Sequence, residues 1–219
     1  MRPSRAPGAN PRKPQFDRAV SNAPGRTATI RAMLSPIYPL LTERLALRPF
    51  VDDDLDAFHA IQSRPDVVRY LYWEPRSLEE AREMLGRRMR QTVIDKEGDG
   101  LHLAADLRAS GQLVGHFNLV LSSQAHRQGE VGFVVHPDHH GHGYATEGAT
   151  LMLRLGFEEL ALHRIVGRCD ARNTASARLM ERLGMRREAH LLENEFVKGE
   201  WTDELVYALL DREWRARSD

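Results

Sequence analysis

The chain contains almost no cysteine and no long apolar run, and both shortages limit what the protein can be. Cys169 is the one cysteine among 219 residues, so no disulfide can form within the chain and a reducing cytoplasm is the expected compartment. No apolar stretch reaches the roughly 20 residues that a membrane-spanning helix requires, and the start lacks the apolar centre of a secretory signal. We therefore expect a soluble, cytoplasmic protein with no membrane partner and with Cys169 as a buried, unreactive thiol.

An excess of charge of one sign is also lacking, because 31 Lys and Arg residues balance 31 Asp and Glu residues. With 42% hydrophobic and 28% charged residues, the composition is that of an ordinary globular protein. Nothing in it requires a nucleic-acid partner, and nucleic acid is considered only for the basic N-terminal segment. The length favours one domain with an appendage.

The N-terminal segment differs from the rest of the chain. Its first 35 residues contain five prolines and seven Arg or Lys residues against one acid, Asp17. Such a segment buries too little apolar surface to offset its ordering entropy, and its prolines interrupt the amphipathic helix of an organelle transit peptide. Residues 1–35 are therefore predicted to be a disordered tail and residues 40–215 a folded domain. Met33 is an alternative start for the native protein.

Regular apolar spacing predicts strands and helices after residue 42. Strands are predicted where apolar and polar residues alternate, and helices where apolar residues recur every three or four positions. The Ser77–Glu80 capping box marks one helix start and Gly184 one helix end. The order of elements predicts a mixed α/β sheet with helices on its faces. The predicted strands are 44–50, 101–107, 113–121, 130–136, 164–170, 186–197 and 201–209, and the predicted helices are 52–61, 77–92, 145–160 and 173–183.

The most informative stretch is EVGFVVHPDHHGHGYATE, which joins a strand to a helix through Gly141, Gly143 and Ala145. Small residues let the backbone approach a ligand closely, and the helix start offers unpaired N–H groups and a positive dipole end. Such a turn suits a pyrophosphate. Thr146 occupies the third glycine position of the G-x-G-x-x-G fingerprint, which argues against a nicotinamide cofactor.

The segment PDHHGHGYATEGATLMLRLGF resembles the acetyl-CoA-binding motif Q/R-x-x-G-x-G/A of the GNAT N-acetyltransferases. Three other segments agree in order: LLTERLALRPF, NTASARLMERLGM and KGEWTD. The likeness is to the branch that includes the ribosomal-protein N-terminal acetyltransferases RimJ and RimL, and it covers nearly everything from Leu40 onward. It implies the GNAT fold, with a central mixed, mostly antiparallel sheet of about seven strands flanked by about four helices.

The resemblance implies an enzyme that transfers an acetyl group from acetyl-CoA to a primary amine by direct attack in a ternary complex. The amine is either a protein N-terminal α-amine or a small-molecule amine. Two alternatives stay open: another acyl donor such as succinyl-CoA, and a non-catalytic acyl-CoA-binding regulatory module. A homodimer is common in this branch.

The resemblance also implies which residues hold acetyl-CoA. His140 stands where the family has Gln or Arg, and Met180 stands where some relatives carry a tyrosine acid. Ser176 is therefore the local candidate that protonates the leaving thiolate. The implied cofactor-binding residues are Phe133, Val134, Val135, His140, Gly141, His142, Gly143, Tyr144, Ala145, Thr146, Asn173 and Ser176.

Two carboxylates compete as the general base that takes the proton of the attacking amine. Glu130 begins the central strand and by alternation shares a face with Gly132 and Val134. Glu195 lies at a position that resembles an acid proposed as base in related enzymes. Tyr70 and Trp73 are expected either to line the acceptor site or to pack in the core.

Four histidines in one short loop suggest a metal site, but their close spacing argues against one. The four side chains crowd into one short loop, which gives poor tetrahedral geometry without a ligand from elsewhere. A loop beside an anionic cofactor accounts for partly positive side chains more simply. No metal is expected at His136, His139, His140 and His142.

Overall fold

The computed structural model describes residues 34–217. Residues 1–33 of the predicted tail therefore lie outside the described residues. Leu34 is buried and pairs with Ile94, exchanging backbone hydrogen bonds of 2.8 and 3.0 Å. Between residues 34 and 217, no helix has the length and apolar character needed to cross a membrane.

The strands form one open eight-stranded sheet, and the predicted mixed, mostly antiparallel sheet is confirmed. Along the sheet the order of strands, numbered as they occur in the chain, is 1-2-3-4-5-6-8-7. All neighbours are antiparallel except the fifth and sixth. The strand added to the seven predicted has only two residues, too few to show alternation. The strands are β1 (Leu40–Leu41), β2 (Leu45–Pro49), β3 (Gly100–Leu107), β4 (Leu113–Ser123), β5 (Gln128–Val135), β6 (Arg164–Asp170), β7 (Arg186–Val197) and β8 (Glu200–Leu210).

Six α-helices accompany the sheet in the described chain, where about four were predicted. The two extra helices have four and five residues. A 3-10 turn, Asp52–Asp54, precedes the first helix, and a π-helical segment, Leu155–Glu159, extends the fourth. The helices are α1 (Leu55–Gln62), α2 (Pro65–Val68), α3 (Leu78–Arg88), α4 (Tyr144–Arg154), α5 (Thr174–Arg182) and α6 (Asp211–Arg215).

Local signals in the sequence fix several element ends as predicted. Glu80 N–H donates to Ser77 Oγ, and the Glu80 carboxylate accepts the Ser77 N–H, which completes the capping box of α3. Gly184 closes α5 with φ of 74°. Helix α3 ends at Arg88, earlier than the predicted 92, because the carbonyl of Gln91 accepts the N–H of His102 on β3.

The helices cover both faces of the sheet. Helix α4 lies flat on β4 because Gly148 has no side chain; a Cβ there would come within 2.3 Å of the Phe117 ring. The neighbouring residue His116 points to the opposite face, where it contacts Phe58 of α1 with ring centroids 5.9 Å apart. A ligand can therefore reach the sheet only where the helices leave one of its faces uncovered.

The sheet opens between its two parallel strands. Strand β5 pairs with β6 at three residues only, ending at Glu130 opposite Val166. On its other side β5 stays paired with β4 as far as Val135, opposite Gly115. From Val131 onward one edge of β5 is therefore free, and this opening positions the candidate site.

Candidate functional site

The free edge of β5 presents backbone groups that no strand satisfies. His136 donates its N–H to the Val114 carbonyl of β4 at 2.8 Å. Because the backbone groups of successive strand residues point to opposite neighbours, Val134 also faces β4, while Phe133 and Val135 face the opening. The N–H groups of Phe133 and Val135 have no hydrogen-bond partner among residues 34–217.

The predicted strand residues thus divide into two kinds. The unpaired N–H groups of Phe133 and Val135 face the opening. The carbonyl of Val134 is directed at β4, where a Cβ on Gly115 would lie only 2.4 Å from it. Val134 instead contributes its side chain to the wall of a cavity that continues from the opening.

That cavity measures about 270 Å³ and collects residues that are far apart in the sequence. Its walls come from β3, β5, β6, the start of α5 and the β7–β8 hairpin. Tyr70 and Trp73 also line it. The predicted site residues that line the cavity are Glu130, Phe133, Val134, Asn173, Ser176 and Glu195.

The predicted glycine-containing loop lies at the start of α4, outside the cavity lining. Gly141 and Gly143 adopt φ of 80° and 81°, in the region that favours glycine. The first backbone hydrogen bond of the helix runs from Glu147 N–H to the Gly143 carbonyl. The N–H groups of Tyr144, Ala145 and Thr146 consequently have no acceptor in the described chain.

Arg44 is a residue of this loop region that the sequence did not reveal. Its Nη1 donates to the His142 carbonyl at 2.7 Å, and its Nη2 lies 2.7 Å from Glu147 Oε2. The guanidinium carbon also lies 4.9 Å from the centroid of the Tyr144 ring. Arg44 therefore holds the loop in place and brings a positive charge to it. Arg44 lies in the segment LLTERLALRPF, but the segment alone does not show this role, because the partners of Arg44 are about 100 residues away in the sequence.

His140 holds the end of β5. Its Nε2 lies 2.9 Å from the Val135 carbonyl, and since a carbonyl oxygen only accepts, Nε2 carries the proton. His142 stacks on Tyr144 with ring centroids 5.5 Å apart. Across the part of the chain that the structure describes, no group of three or more His, Cys, Asp or Glu side chains is placed to hold a metal ion.

Glu130 lies where β5 separates from β6. Its Oε2 is 3.4 Å from Arg168 Nε, and its side chain is 41% exposed. Burial raises the pKa of Glu130, and the nearby Glu204 and Glu195 raise it further, against the opposing effect of Arg168. The pKa of this carboxyl is therefore above its ordinary value, which suits a group that must accept a proton from an amine.

Two further carboxylates stand near Glu130. Glu204 is buried on β8 and contacts Arg168 Nη1 at 3.2 Å. A register shift in β7 between Leu191 and Glu195 turns Glu195 towards the cavity. The Tyr72 hydroxyl is hydrogen-bonded to Glu195; burial first and this bond second raise the pKa of Tyr72, so it stays a neutral donor. Glu130 and Glu195 thus line the cavity together with Arg168, while Glu204 pairs with Arg168 from outside the lining.

The start of α5 supplies Asn173 and Ser176. Asn173 Oδ1 accepts the N–H of Ser176 at 3.1 Å and so acts as the N-cap of the helix. The Ser176 hydroxyl faces the cavity, and Met180, one turn later, is buried. Cys169 was expected to be buried, but it is only partly buried and lines the cavity. Burial raises its pKa to about 11, so it remains a protonated thiol.

Comparisons with known proteins agree with one another. Residues 44–186 match the family model described as an acetyltransferase (GNAT) domain. The uncharacterised N-acetyltransferase YnaD of Bacillus subtilis is 31% identical over 175 residues, which cover 80% of this chain and 98% of that protein. Spermidine N(1)-acetyltransferase of Vibrio cholerae is 26% identical over 180 residues, which cover 82% of this chain and 100% of that protein. The crystal structure of a GNAT-family acetyltransferase from Bacillus anthracis superposes with a TM-score of 0.70 at 34% identity, covering 78% of this chain and 97% of that one.

Proposed function

The chain belongs to the GNAT acetyltransferase family and is an N-acetyltransferase, and from that premise we propose that it passes the acetyl group of acetyl-CoA to a primary amine by direct attack in a ternary complex. The observation that carries the proposal is the opening beside β5. There, the unpaired N–H groups of Phe133 and Val135 face the opening, and Phe133 lines a cavity that Glu130 and Ser176 also line. The donor and the two proton-transfer groups thus meet in one place.

The residues at the opening fit an acyl-CoA. Phe133 and Val135 offer strand-edge groups to the amides of the pantetheine arm. The unpaired N–H groups at the start of α4 suit a pyrophosphate, and Arg44 adds a positive charge beside them. When bound, acetyl-CoA supplies the acyl group in activated form, as a thioester.

Glu130 is the general base in this proposal. The amine must lose a proton as its nitrogen forms a bond to the acyl carbon, and the raised pKa of Glu130 improves its match to that task. Glu195 is the second choice, because its carboxylate is already hydrogen-bonded to Tyr72. A base on β5 also lies on the strand whose free edge receives the donor.

Ser176 is the proposed acid. The bond between the acyl carbon and sulfur breaks as the new amide bond forms, and the departing thiolate needs a proton. The Ser176 hydroxyl lines the cavity at the first turn of α5 and has no hydrogen-bond partner among the described residues. Met180, which stands in place of a tyrosine acid, has no proton to give.

The carboxylates of Glu130 and Glu195 in the cavity wall favour a cationic acceptor. A protonated amine is attracted by them, loses one proton to water to become the neutral nucleophile, and gives its second proton to Glu130 as the amide bond forms. An N-terminal α-amine, a small-molecule amine and a polyamine all meet this requirement. The polyamine is added because one relative is named a spermidine acetyltransferase.

A thiol-release assay tests the proposal. The purified protein is incubated with acetyl-CoA and, in separate reactions, each of a panel of N-terminal peptides, amino acids and spermidine. The products are identified by mass spectrometry. We expect amine-dependent release of the CoA thiol together with an acetylated amine, and slower release when succinyl-CoA replaces acetyl-CoA. Binding of acetyl-CoA without release to any amine would contradict an acetyl transfer and favour a regulatory acyl-CoA-binding role.

A further inference from the structure

The far end of the cavity differs in charge from the end beside β5. Arg88 of α3, His102 of β3 and Trp73 line it. Neighbouring strands lie about 4.8 Å apart, so β3 is roughly 10 Å from β5 across the sheet. A molecule whose amine lies at β5 therefore extends towards these three side chains.

Arg88 is a partly buried cation that has no anionic partner. Its Nη1 contacts Gln91 Oε1 at 2.9 Å and His102 Nε2 at 2.8 Å, both neutral groups. No carboxylate of residues 34–217 forms an ion pair with it. Burial, followed by the charges of Arg76 and Arg87, lowers the pKa of Arg88 to about 10, so it is still charged at neutral pH.

Arg48 and the more exposed Arg168 are paired with acids, whereas the partly buried Arg76, like Arg88, forms no ion pair among residues 34–217. Arg48 contacts Asp54 at 2.7 Å and Asp106 at 2.6 Å. Arg168 contacts buried Glu204 at 3.2 Å. Because a buried charge without a counter-charge is unfavourable, the unpaired guanidinium of Arg88 calls for an anion from outside the chain.

The groups beside Arg88 are donors without acceptors. Since arginine only donates, His102 Nε2 is an acceptor and the ring proton lies on Nδ1. Within residues 34–217 this Nδ1 and Trp73 Nε1 are buried with no hydrogen-bond partner. Nε and Nη2 of Arg88 also lack one. A buried donor is stabilised only when an acceptor reaches it, so the ligand must bring acceptor oxygens.

We infer that Arg88, with His102 and Trp73, binds a carboxylate of the acceptor, and that the acceptor is an amino acid or short peptide carrying both a primary amine and a free carboxylate. The inference rests on the proposed function and names its substrate class. The amine is drawn by the carboxylates at β5, and the acceptor's own carboxylate accepts the hydrogen bonds of the donors near β3. A polyamine fits less well, because its second ammonium would lie beside the guanidinium of Arg88.

Matched pairs of acceptors test the inference. Glycylglycine and 6-aminohexanoate are each compared with their primary carboxamides, and spermidine is included as a dication. We expect kcat/KM to be about tenfold or more higher for each acid than for its carboxamide, because the carboxamide lacks the charge that pairs with Arg88. Arg88→Gln should lower kcat/KM for the acids by about tenfold and bring the ratio of acid to carboxamide close to one.

Two control variants separate this role from a structural one. Arg87→Gln changes the neighbouring residue of α3, which pairs with Glu83 on the surface, and should leave the ratio unchanged. Arg88→Lys keeps the charge and should restore part of the preference for acids. Thermal unfolding of all three variants checks that they fold.

The outcomes distinguish the two proposals. Equal kcat/KM for acids and carboxamides, a ratio that Arg88→Gln leaves unchanged, or a preference for spermidine would overturn the inference while keeping the acetyltransferase. Absence of thiol release with every acceptor, spermidine included, would overturn the proposed function and this inference with it.

Discussion

At the scale of single residues, the most specific role proposed is that of Glu130 as general base. Its pKa is raised by burial and by neighbouring carboxylates, and the neutral isostere Gln cannot accept a proton. We expect Glu130→Gln to lower kcat by about 10²- to 10³-fold with little change in acetyl-CoA affinity. Steady-state kinetics with one fixed amine, together with calorimetric titration of acetyl-CoA, measures both.

The pH profile gives a second readout of Glu130. A base works only in its deprotonated form, so log kcat/KM of the unaltered protein should rise with pH through the pKa of Glu130, above the ordinary value of 4.5. That rise should vanish in Glu130→Gln, while the rise caused by the amine's own titration stays. A profile that loses the same rise in Glu195→Gln, and keeps it in Glu130→Gln, would assign the base to Glu195.

At the scale of secondary-structure elements, the N-terminus of α4 is the part proposed to bind the pyrophosphate. Gly143 has φ of 81°, and a Cβ there would lie 3.3 Å from Arg44 Nη2. Gly143→Ala imposes left-handed strain of about 1 to 2 kcal/mol and disturbs the N–H groups of the helix start. We expect about tenfold weaker acetyl-CoA binding in calorimetry, since such donors hold the anion.

Gly111 in the β3–β4 turn provides a matched control for Gly143. It has φ of 72° with nothing within 4 Å of an added Cβ. Gly111→Ala should cost a similar amount of stability and leave acetyl-CoA affinity unchanged. If both variants bind acetyl-CoA as tightly as the unaltered protein, the start of α4 is not the pyrophosphate site.

Most elements could be predicted because their signals are local. The capping box at Ser77 and the C-cap at Gly184 each act within a few residues, and the structure confirms both. The short elements β1, α2 and α6 were missed, because two to five residues show no periodicity. Their form is decided by the neighbours they pack against.

At the scale of the whole molecule, the site depends on the order of the strands. The contacts that this order creates between distant residues could not be predicted from the sequence. Glu130 and Ser176, which line the cavity, could be predicted as candidates because they lie in segments that resemble the family. Arg44, Arg88 and His102 were not found, because each acquires its role from partners on other elements. The opening between β5 and β6 begins where their pairing ends, at Glu130 opposite Val166, and no local signal in the sequence marks that point.

Central to the proposed function is the binding of acetyl-CoA along the free edge of β5. Residue-resolved amide hydrogen exchange, measured by NMR with and without saturating acetyl-CoA, tests it most directly. We expect exchange at Phe133 and Val135 to slow by about tenfold or more, because their N–H groups gain acceptors, while Val134, already bonded to β4, changes little. Unchanged exchange at Phe133 and Val135 in the saturated protein would contradict it.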